Sequence, residues 1–179
     1  MSAGRADTAN VLGAVALAVA GQIPVTVTPG GGRSDSSAAA LSALYHFPGH
    51  PTVDRLGQVL GLTHSGAVRL VDRLAGAGLV ERAPGTDRRS RSVHLTAAGR
   101  RAARRVSDRR LAYLASLLAD LSPAETGALH ELLGRVMGQV VQHKQGGAWI
   151  CRMCDLRACG RAEGHCPAAS AAAGRASPR

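Results

Sequence analysis

The chain has 179 residues and a formal net charge of +10, with 45% apolar residues. That apolar share excludes disorder throughout, but 33 residues are alanine and the only aromatics are Tyr45, Phe47, Tyr113 and Trp149. Such a chain buries little apolar area per residue, which predicts that a second copy completes its core. Four aromatic rings are also too few for a stacking platform that grips single-stranded nucleic acid.

In chain order, Thr8 to Ile23 reads as a helix of small residues. Its apolar run, Val11 to Ala20, is followed by Gln22 and Pro24, too short and too broken to span a membrane. The triplet Ala18-Val19-Ala20 mimics an export cleavage site, but Asp7 offsets Arg5 and argues against a leader peptide. Pro29 to Gly32 breaks the chain, and Ser34 or Asp35 opens a second helix carrying Leu41, Leu44, Tyr45 and Phe47 up to Pro48-Gly49. A third helix starts at Thr52, places Val53, Leu56, Val59 and Leu60 on one face, and stops at Gly61. Thr63 caps a fourth helix running to Ala75, with Ala67, Leu70, Val71 and Leu74 at helical spacing. Two strand-like runs follow, Leu79 to Arg82 and Arg91 to Leu95, around the turn Pro84-Gly85-Thr86-Asp87. Thr96 then caps a helix to about Leu121, and Ser122-Pro123-Ala124-Glu125 is a capping box that starts another, to His143. Gly146-Gly147 ends it, and residues 167–179 have the composition of a disordered tail.

Helix, glycine turn, helix and hairpin make a winged helix-turn-helix, so the expected fold is mostly α with a small β-wing on a helical dimerisation base. If Ala67, Leu70, Val71 and Leu74 face inward, Ser65 and Arg69 point outward and Arg73 lies at the border, with Thr63 and His64 at the N-terminal end. Serine and arginine suit the donor–acceptor code of the major groove, arginine pairing with guanine. An amphipathic helix with an ordinary polar face would have the same spacing; the charge separates the two readings. Ten of the 21 arginines lie between Arg82 and Arg110, against only Asp87 and Asp108. Arg88, Arg89 and Arg91 cluster at the hairpin beside Asp87, in reach of phosphates or a minor groove.

The segment from Leu56 to Arg100, LGQVLGLTHSGAVRLVDRLAGAGLVERAPGTDRRSRSVHLTAAGR, resembles the MarR family of transcriptional regulators, and looser similarity runs from about Val11 to His143. The resemblance implies a homodimer whose first, fifth and sixth helices interlock, with two winged lobes astride a pseudo-palindromic duplex. It implies that Ser65, Arg69 and their neighbours read bases, that Asp87 and Arg89 form the wing's Asp-x-Arg, and that the wing arginines meet phosphates and the minor groove. It also implies a small-molecule effector between dimer base and DNA lobe.

All four cysteines, Cys151, Cys154, Cys159 and Cys166, fall in one C-x2-C-x4-C-x6-C segment with a proline after the last. Four thiolates within 16 residues can wrap one centre, and Arg152, Arg157 and Arg161 offset its negative charge. A four-cysteine zinc site usually pairs two Cys-x-x-Cys knuckles, and this segment has one, so the spacing leans toward an iron–sulfur cluster. Zinc and a metal-free thiol switch stay open. Clustered cysteines suit a metal better than a disulfide framework, which favours a reducing, cytoplasmic setting.

The expected organisation is a winged domain over residues 8–145, with a DNA lobe at about 34–95 and dimerisation helices at about 8–23, 96–121 and 123–143. A cysteine-rich extension occupies 146–166 and a tail 167–179. The expected function is a homodimeric repressor that binds double-stranded DNA and carries a sensory or structural cysteine centre, without catalysis and without a membrane partner. A protein-interaction module with structural zinc is the alternative. A Cys-x-x-Cys oxidoreductase is disfavoured, because a helix and two glycines precede Cys151 instead of a strand.

Overall fold

The computed structural model describes residues 3–27, 36–46, 49–84, 91–143, 150–155, 158–161 and 163–176. The chain is mostly α-helical with one two-stranded antiparallel sheet, in the order α1 (Ala3–Val27), α2 (Ser37–His46), α3 (Val53–Leu60), α4 (His64–Gly76), β1 (Val80–Pro84), β2 (Arg91–Leu95), α5 (Ala97–Ser116), α6 (Pro123–His143), a 3-10 turn (Ile150–Met153) and α7 (Pro167–Ala176).

Local chemistry sets the boundaries. Thr52 accepts from Arg55 N–H at 3.2 Å to start α3, and Gly61 ends it at φ +69°, a left-handed position. Thr63 accepts from Gly66 N–H at 3.2 Å to start α4. Ser122 and Glu125 form the expected reciprocal box: Ser122 N–H and hydroxyl both donate to the Glu125 carboxylate, at 2.9 and 2.7 Å. Those two bonds hold the Glu125 carboxyl below its usual pKa.

The main core lies inside the winged lobe, where Leu41, Leu56, Val59, Leu70, Val71, Leu74, Val80, Val93, Leu95 and Ala103 pack together. Val80 pairs with Leu95 and Pro84 with Arg91 across the wing. Val93 N–H donates to Pro51 O at 2.9 Å, and Thr52 bridges Ser92, so the segment before α3 borders the wing as a minimal third strand. Thr96 ties the wing to α5 twice: its hydroxyl donates to Gly78 O at 2.7 Å and accepts from Gly99 N–H at 3.0 Å. At Gly99 a side chain is sterically excluded, since a Cβ would lie 1.8 Å from Leu79 O.

Three expectations need correction. The first helix is longer than Thr8 to Ile23: Gln22 and Pro24 do not break α1, which runs unbroken from Ala3 to Val27 with Pro24 in its last turn. Its stretch Gly4–Thr26 is therefore long and apolar enough to cross a membrane by length and composition. The long helix expected to reach Leu121 stops as α-helix at Ser116 and continues in turns. Residues 167–176, expected as disordered tail, form α7. Alanine has the highest intrinsic helix propensity, and Pro167 suits the first helical position. The helix also has a seat, because Gly134 and Gly138 on α6 admit Pro167 Cγ and Ala171 Cβ to 3.4 and 3.8 Å of where their Cβ atoms would stand.

Candidate nucleic-acid interface and cysteine centre

The buried face of α4 consists of Ala67, Leu70, Val71 and Leu74, the four positions expected from spacing. Thr63, His64, Ser65, Arg69 and Arg73 are exposed. The structure thus leaves all five expected residues exposed, Thr63, His64, Ser65 and Arg69 in or before the N-terminal half of α4 and Arg73 in its last turn. Thr63 lends its hydroxyl to the helix cap and stands 3.3 Å from Ser65 Oγ. The open N-terminal amides of a helix, with the dipole behind them, favour a phosphate.

Two ion pairs fix this face and were not read from the sequence. His64 Nδ1 pairs with Asp54 Oδ1 of α3, both side chains being largely exposed. Arg82 Nη1 of β1 pairs with Asp72 Oδ1 of α4 at 2.7 Å, fastening the outer side of the helix to the wing. Both cross between elements, so no single helical period reveals them. A cavity of about 250 Å³ separates α4 from the wing, lined by Thr52, Asp54, His64, Val68, Arg82 and Arg91. Arg91 is exposed at the wing edge. The other expected wing residues, Asp87, Arg88 and Arg89, lie outside the described residues.

The basic stretch divides between two places. Arg82 and Arg91 belong to the wing, whereas Arg100, Arg101, Arg104, Arg105, Arg109 and Arg110 belong to α5. Arg100 Nη1 donates to Leu95 O at 2.7 Å, bracing the wing base, and Arg104 stands 3.8 Å from Asp108. Beneath the wing, buried Ser92 lies 2.8 Å from His94 Nε2, and the His94 ring stacks on His50 with centroids 3.7 Å apart.

Away from the lobe, large apolar side chains face solvent on several helices: Val11, Leu12, Val15 and Leu17 of α1, Leu111 of α5, Leu117, Leu118 and Leu121 after it, and Leu132, Leu133, Val136 and Val140 of α6, each at least 36% exposed.

The four cysteines collect in a second, smaller core. Cys151 and Cys166 are buried there with Val141 and Ala168, and Cys154 and Cys159 pack against them together with Met137 of α6 and Ala169, Ala171 and Ala172 of α7. None is in a disulfide. The fold places them as two pairs. The 3-10 turn carries the first, Cys154 N–H donating to Cys151 O at 2.9 Å. The second, Cys159 and Cys166, flanks a loop closed by His165 N–H donating to Gly160 O at 2.8 Å. A side-chain hydrogen bond from Cys151 draws the Cys154 thiol down to about 6, with Arg110, Arg152 and Arg161 adding to the effect; the same bond, with burial, pushes Cys151 up. Burial, the Cys166 sulfur and a side-chain hydrogen bond with Cys166 raise Cys159. Arg161 Nη1 reaches Cys151 Sγ at 3.9 Å. Among the described residues, no three His, Cys, Asp or Glu side chains form a ready-made metal-holding set. Arg157, expected to offset the segment's charge, lies outside the described residues.

The cysteine segment does not hang free. Met153 packs against the small core of Ala38 on α2 and Val106 on α5, which Ile23 of α1 also covers. His46, at the end of α2, stands 3.6 Å from Asp155 through Nδ1 and 3.0 Å from Ser107 Oγ of α5 through Nε2, with only 5% of its side chain exposed. The sequence gives no sign of this junction, whose partners are 61 and 109 positions from His46.

The model described as MarR family matches residues 32–90. No curated protein matches the chain. Among solved structures, the RV1404 protein of Mycobacterium tuberculosis is 26% identical, with a TM-score of 0.58 over 76% of this chain and 93% of that one. A MarR family protein from Bacillus stearothermophilus is 25% identical, with a TM-score of 0.64 over 76% of this chain and 95% of that one. FabT of Streptococcus pneumoniae, solved in complex with DNA, is 17% identical, with a TM-score of 0.65 over 78% of this chain and 99% of that one, a likeness of fold. The matched residues run from the approach to α2 into the wing, and the helices around them follow the architecture of these solved structures, so the chain is similar to the MarR family over that segment and in fold.

Proposed function

We propose that this chain is a homodimeric, sequence-specific regulator of transcription that binds double-stranded DNA and acts as a repressor from the cytoplasm. The observation that carries the reading is the capped, outward N-terminal face of α4, with Ser65 and Arg69 presented beside a basic wing and fastened to it through Asp72 and Arg82. A helix held that way can enter a major groove, its arginine meeting guanine while the wing arginines hold phosphates. FabT, which shares the fold, was solved in complex with DNA, and that supports DNA as the partner. The exposed apolar surface of α1, α5 and α6 supports the dimer, since a second copy of the same surface would bury it. That partner also accounts for the unburied α1 without a membrane. The cysteine centre acts as the sensory or bracing part of the regulator. A small-molecule effector would act between base and lobe. The reading assigns no catalytic residue.

Selection from a random duplex pool followed by titration at several salt concentrations tests the reading. The expected result is an enriched pseudo-palindrome and an affinity that falls steeply with salt. Equal affinity for all duplexes, or none, would favour a winged protein-interaction module instead.

A further inference from the structure

We propose that Cys151, Cys154, Cys159 and Cys166 form one tetrathiolate site for a single tetrahedral cation of the zinc class, and that the loaded site locks the α6–α7 pair to α2 of the winged lobe. The site stands independently of the DNA-binding reading, so a chain that ignored DNA would still load the ion.

Three observations support the site. First, the donor set is homogeneous: four cysteines without a disulfide share one small core, two of them buried at 3% and 4% exposure, although no three of their side chains already converge as a metal-holding group among the described residues. Second, the sulfurs are grouped closely. All four cysteines pack in the same cluster, with Val141 of α6 and Ala168 of α7. One tetrahedral ion with sulfur at about 2.3 Å sets neighbouring sulfurs roughly 3.8 Å apart. An iron–sulfur cluster needs more room among its sulfurs than one ion does, and these cysteines pack directly with Val141 and Ala168. Third, the surroundings await negative charge. Arg110 Nε is buried without a hydrogen-bond partner among the described residues. Arg152 and Arg161 belong to the cysteine segment, and Arg161 Nη1 reaches Cys151 Sγ at 3.9 Å. Four thiolates around a divalent cation carry two net negative charges, which these guanidiniums offset. As the sulfur–metal bonds form, each protonated thiol releases its proton to solvent, and side-chain rotation brings the two pairs onto a common centre.

The lock follows from what the same short segment touches. Cys151 and Cys166 pack on α6 and α7, while Met153 packs against the core of Ala38 on α2 and Val106 on α5, and Asp155 faces His46. Only Cys154 separates the residue on the lobe side from its neighbour Asp155, so fixing that cysteine fixes both contacts.

The test uses the full chain, purified without oxygen. Elemental analysis should find one zinc per chain, and the four thiols should resist a thiol reagent until a chelator is added. Reconstitution with cobalt(II) should give the intense visible spectrum of a tetrahedral tetrathiolate, a readout that needs no variant. Brown protein with iron and sulfide would overturn the single-ion assignment; so would full zinc occupancy in Cys159→Ser. Chelation should increase amide exchange at least several-fold in both α2 and α7. A loss of protection confined to residues 150–176 would overturn the lock.

Discussion

At the scale of single residues, Arg69 and Gly99 mark opposite kinds of constraint. Arg69 projects into open space from a helix whose other face is fully packed, so its replacement leaves the fold intact. Arg69→Ala should relax base preference at one position of each half-site and cost about 1–3 kcal/mol per guanine contact, read by titrating matched and single-mismatch duplexes. Equal losses on both duplexes would instead make Arg69 a phosphate contact. Gly99 faces the reverse situation, a carbonyl where a methyl group would stand. Gly99→Ala should destabilise the chain by more than about 3 kcal/mol, because backbone of the wing junction has to move and the Thr96 bonds go with it. Denaturant unfolding beside the unmodified chain measures this; a shift within experimental error would mean that the β1–α5 junction is loose. The outward position of Arg69 follows from the helical period of its neighbours. The prohibition at Gly99 does not, because the opposing Leu79 belongs to a separate element.

At the scale of elements, the helix starts were the most legible features. Thr52, Thr63, Thr96 and Ser122 each announce a cap, and each accepts the N–H three residues on. Caps are local chemistry, spanning four residues, so sequence contains them whole. Thr96→Ala removes both the cap and the bond to Gly78 O, and should cost about 1–2 kcal/mol. Thermal unfolding of Thr96→Ala and Thr96→Ser tests it, since serine keeps the oxygen and should recover most of the loss. The candidate DNA face was legible for the same reason, being one face of one helix, whereas its fastenings, Asp54 to His64 and Asp72 to Arg82, join different elements and were not. Helix α7 escaped reading because alanine, glycine and serine signal low complexity unless a neighbouring surface is known. The glycines of α6 provide that surface, and they acquire meaning only once the chain has turned back through the cysteine loop.

For the whole molecule, the distribution of burial is uneven. The winged lobe has a closed core, while α1 and α6 contribute little: none of the described α1 side chains is buried, and only Val141 of α6 is. In the proposed homodimer, much of the fold's hydrophobic stabilisation therefore belongs to the pair, and mass action enters the stability of each chain. The midpoint of thermal unfolding should rise with protein concentration, by several degrees over a hundredfold range; a midpoint independent of concentration would place the apolar surface outside the folding equilibrium. The consequence reaches beyond the test tube. A regulator whose framework is completed by its twin responds to its own copy number, because dilution removes grip on DNA and folded structure together. Scarce subunits would then be cleared as unfolded chains, giving the switch a threshold that no effector has to supply.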